Sequence, residues 1–486
     1  MNKKRIAITL FMAFLSEIAN KIVPLVTLHM VALRLGTKAF GTAQFSLWLV
    51  DWGVIFTTFG FMQVAPVMLR DAASADHRRQ VATDVVSSRL FLALVAAAAL
   101  VFIVSDGSVY SPYKSAIYAS GFILISTALD STWLLLARQK MAILSAVSIA
   151  AKLVSVAIIA WMIHGPDDAV TFVMMSCAVN AVISITSCFI AAKEVGFSKP
   201  SFKKSWKAIR LASPFALAVL MIVILERFDL YLVERELGLD ATGIYSAASK
   251  LVTSLTPIIA SVTTVFYSEM LAHQDLEGIY RHLRASLFWV ISLCAPIAVG
   301  IWMIDTEILR IVFGDNFTSG AHSLSILTFG AIAYAIILIF GFQLLALRHQ
   351  WRPLVIGLGC GSVLGFVTAT RLLTSWGNEG VALAAVIGKW TAAVIILTAA
   401  IQTWKLSIKT LVKEMARPSI PAIIMGLTIA PLIHFAVIPQ NGLAVMAIAA
   451  TVYALAFSLA NAAEAKELCY KLMARAGLSP TVSKIK

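Results

Sequence analysis

The chain has 486 residues, 60% of them hydrophobic and 13% charged, and a formal net charge of +14. An ordinary soluble domain carries about 25% charged residues, so the composition excludes a soluble globular enzyme. Apolar runs of the ~20 residues needed to cross a bilayer recur from end to end, and they leave the positive charge to be explained by where it sits.

The N-terminal MNKKR and the apolar run after it superficially match a secretory signal. That run carries Glu17 and Lys21, is too long and lacks a small-residue cleavage site, so it reads as a retained first span. Spans are expected near 6–33, 39–68, 84–104, 115–136, 141–163 and 168–192, then near 208–233, 242–270, 285–304, 323–347, 353–372 and 379–404. A last pair is expected near 418–437 and 442–462, with Pro418, Pro421 and Pro431 interrupting its first member. The fold class is therefore all-α integral membrane, with about 14 transmembrane helices. Residues 1–195 and 208–405 read as two six-helix lobes, 418–462 as two additional helices, and 463–486 as a basic cytoplasmic tail.

With the N-terminus inside, about 28 of the 39 Lys and Arg fall on the cytoplasmic side. Arg78-Arg79, Lys203-Lys204 and Lys405/Lys409/Lys413 are the clusters. This positive-inside bias puts both termini in the cytoplasm and removes the need for a nucleic-acid partner. Cys177, Cys188, Cys294 and Cys360 lie within spans, Cys469 lies on the tail, and there is no C-x-x-C, so the cysteines read as packing residues rather than a metal site.

One motif occurs twice. LGTKAFGTAQF (35–45) and LGLDATGIYSA (237–247) share Leu, Gly, Ala and Gly at positions 202 apart. Each follows a helix that runs outward, so Gly36 and Gly238 read as the left-handed closures of those helices. Gly41 and Gly243 read as sites of close backbone approach. Weaker echoes keep the same order: LLARQKM (135–141) with LLALRHQW (344–351), and IHGPDDAV (163–170) with SWGNEGVA (375–382). Equal orientation makes this a parallel repeat, its pseudo-two-fold lying along the membrane normal.

ELGLDATGIYSAASKL (236–251), IVFGDNFTSGAHSLSIL (311–327) and GNEGVALA (377–384) resemble the polysaccharide-exporter branch of the multidrug/oligosaccharidyl-lipid/polysaccharide (MOP) flippase superfamily, which includes the Wzx-type O-antigen flippases. The resemblance covers residues 1–404. It implies a flippase of the bacterial cytoplasmic membrane that carries an undecaprenyl-diphosphate-linked oligosaccharide and works beside glycosyltransferases and a polysaccharide polymerase. Longer members of the superfamily, lipid II flippases among them, share the expected pair of extra helices.

The rival classes are a membrane enzyme of polysaccharide assembly and a cation-coupled multidrug antiporter. Against the enzyme, the longest connection (193–207) is short and basic, and H-x-x-x-x-D, H-E-x-x-H and P-loop patterns are missing. His29 and His164 read as interfacial polar residues. Against the antiporter stand the cations inside the spans.

Glu17, Lys21, Asp51, Asp130, Lys152, Glu226, Arg227, Asp229, Lys250 and Lys389 all lie well within apolar spans. Facing lipid, each would cost roughly 2.5–3.5 kcal/mol, so they are expected to face protein or a wet cavity. Periodic polar stripes support this: Ser145/Ser148/Lys152/Ser155, Ser246/Lys250/Thr253/Pro257 and Gln44/Asp51/Thr58. The expectation is a cationic chamber built from Lys21, Lys152, Arg227, Lys250 and Lys389. The competing expectation pairs each cation with an acid, Glu17 with Lys21 and Arg227 with Glu226 or Asp229. The resemblance implies a cationic cavity for an anionic headgroup. Glu17, Asp51, Asp130 and Asp229 are candidates for coupling to a proton or sodium gradient, and membrane potential would favour outward movement of an anion. No cofactor is expected. Pro24, Pro214 and Pro257 are hinge candidates.

Overall fold

A computed structural model of the chain describes residues 3–105, 114–137, 141–272, 275–348, 350–434 and 442–461. All regular structure among the described residues is helical. The elements run α1 (Lys3–Thr58), α2 (Phe61–Asp71), α3 (Ala75–Ser105), α4 (Lys114–Leu129), α5 (Thr132–Ala137), α6 (Met141–Met162) and α7 (Ala169–Glu194). They continue with α8 (Phe202–Ala272), α9 (Leu276–Phe313), α10 (Ala321–Ile336), α11 (Arg352–Trp404), α12 (Ile408–His434) and α13 (Gly442–Ala460).

Three of these elements are too long to be single rods. At ~1.5 Å per residue, helices of 56, 71 and 53 residues would span well over twice the ~30 Å hydrocarbon core. Each holds one glycine outside helical dihedrals: Gly36 (φ 71, ψ 177), Gly238 (φ 81, ψ −172) and Gly377 (φ 52, ψ −132). Contacts across these glycines show that the chain doubles back. Tyr245 donates its hydroxyl to Asp229 at 2.6 Å, although the two residues would lie ~24 Å apart in a straight helix. His29 and Phe40 flank Gly36, yet one reaches the Val312 carbonyl and the other packs on Phe313. A Cβ added at Gly380 would lie 2.5 Å from the Leu372 carbonyl oxygen. The positive φ at Gly36 and Gly238 is open to glycine without penalty, which is why the repeated Leu-Gly can reverse a helix in one residue.

Several expected spans are corrected. The second, near 39–68, breaks at Phe59 and Gly60, both at positive φ, before α2 begins. The fourth, near 115–136, is divided between α4 and α5. There Asp130 accepts from the backbone N–H of Thr132 at 3.1 Å and the Ser187 hydroxyl at 3.1 Å. Arg89 of α3 is fully buried beneath the break, donating to the carbonyls of Thr127 and Asp130. A break in a membrane helix exposes carbonyls that water cannot reach, and a guanidinium is an efficient donor to them. Arg89→Leu is therefore expected to destabilise the fold by about 3 kcal/mol or more, read as a lower melting temperature of the detergent-solubilised protein. An unchanged melting temperature would refute this role.

The expected interruption of the penultimate span does not occur, since α12 stays helical through Pro418, Pro421 and Pro431. Neighbouring helices and hydroxyls let prolines persist in membrane helices, and Ser419 and Thr428 bond back to Met415 and Ile424. The helix also continues through Pro24 in α1 and through Pro214 and Pro257 in α8. The tail 463–486, with Cys469, lies outside the described residues.

The chain divides into two compact units. The first comprises Met1–Ala248, Leu309–Gly320 and Phe366–Val381, and the second Ser249–Ile308, Ala321–Gly365 and Ala382–Lys486. In the first, an apolar core joins α2, α3 and α5 to the start of α8 through Phe61, Leu69, Val85, Trp133, Leu135 and Ile209. In the second, α12 and α13 pack on α9 through Ile304, Met425, Ile429 and Val445, and Tyr453 donates to the Ser292 carbonyl at 2.7 Å. Among the described residues, seven helices are long and apolar enough to cross a membrane, two of them turning at Gly238 and Gly377. The protein is a multi-pass membrane protein.

Candidate functional site

Within the first unit, the two copies of the repeated motif dock directly on each other. A Cβ at Gly41 would fall 2.2 Å from the Leu239 carbonyl oxygen, and one at Gly243 would fall 2.0 Å from the Thr37 carbonyl oxygen. The contact is reciprocal, because positions 37 and 41 of one copy correspond to 239 and 243 of the other. Thr37 adds a hydrogen bond to Asp240 at 2.6 Å. The third hairpin joins them: Asn378 donates to the Ala241 carbonyl at 3.2 Å, and Gly377 lies against Leu237. Phe40, Phe313 and Phe317 close the cluster with edge and tilted ring contacts.

Further along the same hairpins sits the charged pair. Arg227 donates to Asp51 at 2.5 Å, and both side chains remain more than a third exposed. Trp48, one turn before Asp51, donates its indole N–H to the Arg227 carbonyl at 2.9 Å. Its ring stacks on Tyr231 with centroids 6.2 Å apart and meets Trp52 edge-on at 5.9 Å. The result is a half-exposed guanidinium and carboxylate set against a face of aromatic rings.

The expectation that Arg227 pairs with Glu226 or Asp229 is corrected in its partner. Residues one or two apart on a helix do not face each other, and Asp229 is buried, accepting from the Tyr245 hydroxyl and the Leu230 N–H. Asp51, distant in sequence, fills the place. Of the other candidates, Lys152 is partly buried on α6 in the same unit. Lys250 is exposed on α8 in the second unit. Lys389, also in the second unit, lays its stem over α10, where a Cβ at Gly330 would lie 3.3 Å from the lysine Cδ. Glu17 and Lys21 fall on α1, and their side chains lie outside the described residues. The Gln44/Asp51/Thr58 stripe is buried at Gln44 and opens toward Asp51.

Sequence reading passed over Trp48, Tyr231 and Arg89. The first two carried a usable signal: Trp48 precedes Asp51 by three residues and Tyr231 follows Arg227 by four, so each shares a face with its charge. Arg34 was also passed over, and it donates to the carbonyls of Ala160 and Ile163 at 2.5 and 2.6 Å, covering the end of α6. Among the described residues, no cluster of His, Cys, Asp and Glu is suited to a metal ion.

The family described as polysaccharide biosynthesis protein matches residues 9–267, a stretch that holds both motif copies, the Asp51–Arg227 pair, Lys152 and Lys250. The chain belongs to this family. No curated protein matches it in sequence. Among solved structures it is similar to the lipid II flippase MurJ in an inward closed conformation, with a TM-score of 0.72 over 93% of this chain and 98% of that one, at 17% identity. A MATE family multidrug resistance transporter of the MOP superfamily, inward-facing, gives 0.57 over 79% and 94% at 14% identity. A MOP superfamily transporter from Pyrococcus furiosus gives 0.51 over 81% and 97% at 11% identity. These likenesses establish a shared fold, that of MOP superfamily transporters.

Proposed function

We propose that this family member is a flippase that moves a polyprenyl-diphosphate-linked oligosaccharide, an O-antigen or related surface-polysaccharide unit, from the cytoplasmic to the outer leaflet of the bacterial inner membrane. The observation that carries the reading is the near-complete fit of this chain, from a polysaccharide-biosynthesis family, to a lipid II flippase fold. A sugar diphosphate cannot cross hydrocarbon unaided, because its polar groups would lose their water. Arg227, Lys152, Lys250, Lys389 and Lys21 are the cations assigned to the headgroup, which Trp48 and Tyr231 would meet through their ring faces. The polyprenyl tail stays in lipid, and the protein opens alternately to each side, with Pro24, Pro214 and Pro257 as flexing points beside the glycine turns. Both termini are cytoplasmic in this reading. An outward-moving anion gains about 2.3 kcal/mol per charge per 100 mV, and Glu17, Asp51, Asp130 and Asp229 are the carboxylates available for proton or sodium coupling. Glycosyltransferases and a polysaccharide polymerase would be its working partners.

In a strain lacking this protein, the wild-type chain is expected to restore surface polysaccharide. Lys152→Ala and Lys250→Ala are expected to insert normally while lipid-linked oligosaccharide accumulates unexported. Wild-type export by both variants would remove the cationic chamber. Export of organic cations in place of polysaccharide would instead identify a multidrug antiporter.

A further inference from the structure

A second site lies at the start of α8, away from the charged pair. In the first unit, a cleft of about 280 Å³ is lined by Phe91, Phe202, Trp206 and Ile209, with Ser87 and Ser205 among its polar lining groups. The two serine hydroxyls share a 2.7 Å hydrogen bond, and Ser88 binds the Ser205 carbonyl at 2.9 Å, so this wall is held in place. Phe202 and Trp206 stack with centroids 6.4 Å apart, and Phe91 meets Phe202 edge-on at 5.9 Å. Yet Phe202 is 71% and Trp206 48% exposed.

The helix sorts its residues by face. Ser205, Ala208 and Ala212 are buried in the unit, Phe202, Trp206 and Ile209 line the cleft, and Lys203, Lys207 and Arg210 stand exposed on the adjoining side. At ~100° per residue the aromatic stripe falls between the packed face and the cationic face. Buried apolar face, aromatic shoulder and basic rim form the arrangement of a spanning helix's end at the membrane interface, where rings sit at headgroup depth and lysines meet anionic lipid. Lys193 at the end of α7 and Lys199 in the connection 195–201 add further positive charge before it.

We propose that this cleft is a binding site for an anionic phospholipid: the glycerol and upper acyl chain lie between Phe91, Phe202 and Trp206, and Lys203, Lys207 and Arg210 hold the phosphate. The aromatic cleft supplies a place for the lipid, and charge complementarity selects the anionic headgroup. The site is independent of the transported cargo.

Native mass spectrometry of the full-length protein with phosphatidylglycerol and phosphatidylcholine of identical chains tests this. Each basic residue near a lipid surface contributes about a fivefold preference for anionic lipid, so wild type is expected to retain phosphatidylglycerol at least about fivefold more strongly. Lys203→Gln/Lys207→Gln/Arg210→Gln is expected to bring the ratio to about one while leaving phosphatidylcholine retention and melting temperature unchanged. Phe202→Ala/Trp206→Ala is expected to weaken retention of both lipids. Equal retention of the two lipids by wild type, or a ratio undiminished in the triple variant, would overturn the proposal. So would displacement of phosphatidylglycerol from the cleft by undecaprenyl diphosphate at equal concentration, which would make the cleft an entry point for cargo.

Discussion

Replacing Gly41 or Gly243 with valine is expected to abolish export and lower the melting temperature by several degrees. At both positions a side chain would meet backbone: the Leu239 carbonyl oxygen at 2.2 Å, the Thr37 carbonyl oxygen at 2.0 Å. A flexible neighbour could rotate away, but a peptide group in a helix carries its hydrogen bonds with it when it moves. Overpacking of a well-packed site costs about 1–3 kcal/mol, and a backbone clash this short belongs at or above the upper end. The strain falls on the arrangement in which the two motif copies touch, so a transport cycle that passes through this contact loses population in that state about tenfold for each 1.4 kcal/mol. Even alanine is expected to impair function at these two positions. Gly165→Ala and Gly359→Ala are the controls, since nothing lies within 4 Å of an added Cβ at either. Purified Gly41→Val with unaltered melting temperature and export would show that the hairpin tips do not need this contact.

Arg227→Ala is expected to reduce export more than tenfold, and Asp51→Asn to reduce it far less. The two side chains form a pair at 2.5 Å, each over a third exposed, so solvent weakens their mutual attraction and the pair itself adds little to stability. Under the proposed function, removing Arg227 eliminates one of the cations assigned to the diphosphate and would leave Asp51 facing an anionic headgroup. Asp51→Asn keeps a hydrogen-bond acceptor for the guanidinium and keeps the cation. A purely structural pair behaves differently: either single substitution would be damaging, and the double Asp51→Ala/Arg227→Ala would recover function because no unpaired charge remains. Export measured for the two single variants and the double variant separates the cases. Recovery in the double variant would rule out Arg227 as a headgroup ligand.

Apolar run length and charge placement revealed the membrane class, because a bilayer imposes the same length on every span. The Leu-Gly-x-x-Ala-x-Gly repeat was likewise readable as a pair of equivalent turns, since few residues other than glycine adopt the dihedrals found at Gly36 and Gly238. The breaks at Phe59–Gly60 and Asp130 were not readable. Helical periodicity continues across both, and what stabilises the second is Arg89, buried on a different helix. The reverse error at Pro418, Pro421 and Pro431 has a related cause: proline removes a local hydrogen bond, whereas the continuity of α12 depends on its packing against α9 and α13.

Composition, span length and the repeated glycines were enough to establish a multi-pass helical protein with two matched hairpins and costly charges inside its spans. Which charges meet was settled only by the folded chain. A helix's periodicity specifies which of its residues share a face, but two faces are brought together by tertiary packing alone. The docking of Gly41 on Leu239 and of Gly243 on Thr37 draws the hairpins together, and that approach places Arg227 against Asp51 and Trp48 rather than against the acids beside it in the chain.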